Sequence, residues 1–114
     1  GKAMVQQVYT LLVEVGRARD DGLPKDATGA ALVCYASGKD EEEAVRETVA
    51  ILKQAGLAPV EVTGHGSVDE RLAEGHDIPA EERALMDRAL AENAVIVAQM
   101  EPLFGDEDEE GDED

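Results

Sequence analysis

The stretch "AALVCYASGKDEEEAVRETVAILKQAGLAPVEVTG" (Ala30 to Gly64) decides the fold, because it reads as strand, helix and strand in unbroken succession. Its first seven residues, Ala30 to Ala36, are a continuous apolar run, the pattern of a strand covered on both faces. The residues from Ser37 to Leu57 then carry the marks of a helix. Asp40 can cap it, Glu43 three residues on can reach back to the cap, and Glu41 and Glu42 suit the positive first turn. Val45, Val49 and Leu52, flanked by Ala44, Thr48, Ile51 and Ala55, share one face at helical spacing. Gly56 ends the helix in the left-handed conformation, with Leu57 placed to pack back on the last turn. In the strand that follows, Val60 and Val62 point inward while Glu61 and Thr63 point outward.

On the N-terminal side, "VQQVYTLLVEV" (Val5 to Val15) is a further strand, with Tyr9, Leu11, Val13 and Val15 on one face and Val8 and Leu12 on the other. The glycines and turn formers of Gly16 to Gly29 make the connection a loop. On the C-terminal side, "PAEERALMDRALAEN" is a second helix, with Leu85, Met86, Ala89 and Leu90 on its buried face, Pro79 in its first turn and Asn93 at its exit. "AVIVAQMEPLF" (Ala94 to Phe104) is the last strand, stopped by Pro102.

The order strand-strand-helix-strand-helix-strand predicts an α/β (α+β) fold, a two-layer sandwich with both helices on one face of the sheet. If "SVDERLA" (Ser67 to Ala73) pairs as a short edge strand, the segment Ala30 to Phe104 takes the ferredoxin-like arrangement, with Val5 to Val15 added. Element order alone implies no activity.

A chain of 114 residues is long enough to bury roughly two-thirds of its unfolded surface in one domain, here Gly1 to Gly105. Asp106 to Asp114 carry eight carboxylates and no apolar residue, and are expected to be a disordered acidic tail. The remaining 19 acids still outnumber the 10 bases of the chain, whose formal net charge is -17. That charge sets the protein against nucleic acid and anionic membranes, and no apolar run is long enough to span a bilayer. The single cysteine, Cys34, excludes an internal disulfide and lies in the most apolar strand, so the expected setting is the cytoplasm and the expected role is packing.

Three features invite a functional reading. His65 and His76, with Asp69 and Asp77 and the nearby Glu70 and Glu74, could form a metal shell or serve a hydrolytic enzyme. Their eleven-residue separation puts them on no common helical face, and the stretch reads better as a wet connection, Gly64 and Gly66 serving the backbone. Arg17, Arg19 and Lys25 could clamp a small anion, or neutralise Asp20, Asp21 and Asp26 beside them. Ser67 follows "GHG" without a nucleophile elbow. Neither a phosphate loop nor a dinucleotide fingerprint is present, and no cofactor is expected.

Three functions follow. The leading one is a non-enzymatic binding or regulatory module acting as a homodimer, because a small sheet leaves an edge or face to be covered. The second is a metal-binding protein or enzyme using His65 and His76. The third is an acidic decoy that engages a basic protein surface through its tail.

Overall fold

The computed structural model describes residues 5–105. The acidic tail lies outside the described residues. Seven elements follow in order: β1 (Gln7–Val15), β2 (Gly29–Gly38), α1 (Glu41–Gln54), β3 (Pro59–Ser67), α2 (Val68–Ala73), α3 (Ala80–Glu92) and β4 (Val95–Leu103). The strands form one open antiparallel sheet in the order β3-β1-β2-β4. The fold is α+β, as the pattern requires, but the order is not the ferredoxin-like one.

Two corrections explain the difference. The segment Ser67 to Ala73 is not an edge strand. Ser67 caps α2 by accepting from the Glu70 backbone N–H at 3.1 Å, while Glu70 Oε1 accepts from the Ser67 N–H at 2.8 Å. This reciprocal box satisfies two otherwise orphaned donors and starts a helix.

The helices also do not share a face. β2 and β3 both run antiparallel to β1, so they are parallel to each other and α1 crosses between them. β4 runs antiparallel to β2 and hence to β3. The handedness rule governs only parallel connections, so it leaves the path from β3 to β4 free to cross the opposite face. The structure is therefore a sheet with α1 on one side and α2 and α3 on the other, not a two-layer sandwich.

Alternation along the strands sorts the core accordingly. Leu11, Val13 and Val15 of β1 and Leu32, Cys34 and Ala36 of β2 pack against Ala44 and Leu52 of α1. Val8 and Tyr35, which point the other way, pack against Met86 and Ala89 of α3. The buried row of α1 is Ala44, Thr48 and Leu52, so its face is turned from the expected Val45-Val49-Leu52 line and Ile51 stands 41% exposed. The Thr48 hydroxyl is buried without a hydrogen-bond partner among the described residues.

Caps set the helix ends. Asp40 accepts from the Glu43 N–H at 2.8 Å, whereas Glu43 reaches past the cap to the Lys39 N–H at 2.7 Å. Gly56 (φ +89°) takes the left-handed turn, and the Leu57 N–H returns to the Leu52 carbonyl at 3.0 Å. Asn93 (φ 51°) does the same for α3, the Ala94 N–H returning to Ala89.

Both edge strands are irregular. In β3, Val15 pairs with Pro59 and Glu14 with Glu61, which leaves Val60 as an extra residue. The bulge turns Val60 out to 66% exposure, where the strict alternation of the sequence places it inward. In β4 the ladder shifts at Ala98 and continues through Pro102 to Leu103 rather than stopping at the proline. An edge strand tolerates proline because a missing N–H can face solvent.

Candidate interaction surfaces

The loop from Gly16 to Thr28 is organised around Arg17. Its Nε and Nη2 donate to the two Asp21 oxygens at 2.9 and 3.2 Å, and Nη1 donates to the carbonyls of Pro24 and Ala27 at 2.9 and 2.6 Å. The same Asp21 carboxylate accepts from the Ala18 and Leu23 N–H groups. The Arg17 hydrogen bond, followed by these two backbone donors, holds the Asp21 carboxyl well below the usual carboxylate range. A carboxyl lowered on folding stabilises the native loop fully above its unfolded pKa and loses that effect as pH falls toward the folded one. Arg17 is thus a loop fastener, while Arg19 and Lys25 are exposed.

The histidine stretch is divided between β3, α2 and the connection that follows α2. His65 lies exposed in β3, where the ladder to β1 slips between Tyr9 and Leu11. Asp69 is in the first turn of α2, and His76 and Asp77 follow that helix. The Arg71 Nε donates to His76 Nδ1 at 3.1 Å and its Nη1 donates to Thr10 Oγ1 at 3.0 Å, which straps the turn after α2 to β1. The His76 Nε2 lies 3.5 Å from Glu74 Oε1. Among the described residues, no three His, Cys, Asp or Glu side chains gather as a metal site. Gly66 (φ +98°) supplies the turn into the Ser67 cap, and Gly64 lies directly under the Glu41 carboxylate.

The other reactive groups are held in packing. Burial pushes the Cys34 thiol up to about 11. Burial, with the adjacent Glu82 carboxylate, pushes the Tyr35 phenol up to about 12, and its hydroxyl donates to Glu82 Oε1 at 3.2 Å. Ser67 is 2% exposed and spent on its cap.

What remains open is surface on both sides of the sheet. On the α1 side, β4 packs Val95 on the α1 core and then carries Val97 and Met100 opposite Cys34 and Leu32; these two residues are 41% and 46% exposed. Val97 and Met100 form an apolar margin, and Ile51 on α1 lies by Val95 of the same strand. On the α3 side, α2 and α3 cover the half of the sheet around Val8, Thr10 and Tyr35. The other half is a shallow groove over Leu12, Ala31 and Val33, with Gln99, Met100 and Glu101 along its β4 edge.

The register gives that half a pattern. One row across the sheet reads Thr63, Leu12, Val33, Gln99, and the next reads Glu61, Glu14, Ala31, Glu101. Glu61 and Glu14 are directly opposite, an unfavourable cross-strand pair. All three glutamates are exposed, and none is in an ion pair among the described residues. The sequence conceals this row, because its members are brought together only by pairing strands far apart in the chain.

The architecture defines an open-faced α+β sheet domain with helices on opposite sides. The chain belongs to the family described as Domain of unknown function (DUF8846), whose model matches residues 8–104 and so spans all seven elements. No curated protein and no solved structure matches it. Among the described residues, no helix is long and apolar enough to cross a membrane.

Proposed function

We propose that the chain is a non-enzymatic binding module working as a cytoplasmic homodimer, with two copies meeting along the α1 side of β4. The observation that carries this reading is the apolar margin of Val97 and Met100, each more than 40% exposed on the edge strand β4, with Ile51, 41% exposed, beside Val95 of that strand. A second copy related by a two-fold axis brings the same residues against themselves and covers both edges at once. The burial of Cys34 and the capping role of Ser67 support a binding role over a catalytic one.

The opposing force is charge, since both copies are acidic. Association therefore tightens as salt screens the repulsion. Sedimentation equilibrium across a salt series tests this: a dimer that strengthens with salt is expected, and Val97→Asp reduces it to a monomer while Leu12→Asp, on the opposite face, does not. A wild-type monomer at high micromolar concentration and moderate salt overturns the proposal.

A further inference from the structure

We infer that the uncovered half of the α3-side face is the docking surface for a basic amphipathic helix of another protein. The inference rests on the face opposite the dimer margin; Met100 on the edge strand borders both, and Val97, which lies on the dimer side alone, lets the two be tested separately.

The shape is a vacant place in a helical layer. α3 already packs on one half of this face through Met86 and Ala89, and the neighbouring half presents two rows, of which Val33 at the border packs against the α3 cluster and Leu12 stands open. Rows two residues apart lie about 6.8 Å from one another along a strand, and the helix is about 10 Å across, so one helix fills the vacancy. Its apolar stripe meets Leu12, Ala31 and Val33, of which Leu12 is 40% exposed.

Charge selects the occupant. Glu61, Glu14 and Glu101 lie on one row spanning about 14 Å at the usual strand spacing. A helix with lysine or arginine at every third or fourth position along one side presents cations at about 5–6 Å intervals, close to the one-strand step from Glu61 to Glu14 and about half the two-strand step from Glu14 to Glu101. It also relieves the Glu14–Glu61 repulsion that the free domain carries. A second copy of this chain brings no such cations in a row; it sets one glutamate row near another in a protein of net charge -17. An acidic helix meets the same repulsion.

The test uses the full chain and a labelled model peptide of about five helical turns with leucine on one side and lysine on the other, followed by fluorescence anisotropy. Saturable one-to-one binding per protomer is expected. The triple variant E14Q/E61Q/E101Q should weaken it by about tenfold or more, and Leu12→Asn by a similar factor, with circular dichroism unchanged. The triple variant E42Q/E47Q/E92Q removes the same charge from other exposed positions and should leave affinity within about twofold. Val97→Asp should leave it unchanged, which separates this site from the dimer. Equal weakening by both triple variants reduces the effect to net charge and overturns the proposal. So does full affinity in Leu12→Asn, or equal binding of a peptide with glutamate in place of lysine.

Discussion

On the α1 side of the sheet, Leu11 and Val13 are completely buried; Leu12, between them on the same strand, is 40% exposed on the other side. The two faces use the same strands, so the difference lies in what covers them. α1 has 14 residues and crosses from β2 to β3, shielding the centre of the sheet. On the opposite face α2 has only six residues, and α3 sits over the β2–β4 side at one end, leaving the other end bare. Alternation assigns a residue to a face; the length and path of the covering helix decide whether that face is core.

The largest test of this contrast substitutes neighbours. Leu11→Ala leaves a cavity in a fully packed site and should cost about 3 kcal/mol, whereas Leu12→Ala should cost less than about 1 kcal/mol, both read from urea midpoints. Equal effects would mean that the α3-side half is covered in solution. Gly29→Ala comes next. A Cβ there meets the backbone of Val15, which cannot move without opening the β1–β2 ladder, and the expected loss is about 1–3 kcal/mol.

Thr48→Val acts in the reverse direction. It keeps the shape under α1 and removes a buried hydroxyl with no partner, so thermal unfolding should show a gain of about 1 kcal/mol. A loss instead would show that the hydroxyl is satisfied in solution. The smallest effect belongs to Glu14→Lys, which converts the repulsive pair with Glu61 into an attractive one. It should add about 0.5 kcal/mol at low salt and less at high salt.

Local signals made most of the fold legible. The caps at Asp40 and Gly56, the exit at Asn93, and the alternation of β1 are each set by a few adjacent residues. The Ser67–Glu70 box is equally local and marks α2 in the sequence itself; polarity there reads as a weak strand only when the box is overlooked. Placement across the sheet is different in kind. The bulge at Val60, the separation of the helices onto two faces and the glutamate row depend on which strands pair and in what register. The histidines drew notice because they are rare in this chain, while Arg71, which straps α2 to β1, was hidden among ordinary surface charges.

The strand order also fixes a sequence of assembly. The central pair, β1 and β2, is a hairpin joined by one loop that Arg17 fastens internally, so it can close with little loss of chain entropy. Each outer strand must return from a distance; Thr28 and Leu103, which meet at the end of the β2–β4 ladder, are 75 residues apart. The hairpin is therefore the element able to form early, and the two edges are added by slow, long-range closure. Until the edges are added both sides of an apolar hairpin face water, and the chain's formal net charge of -17 opposes the association of two such hairpins.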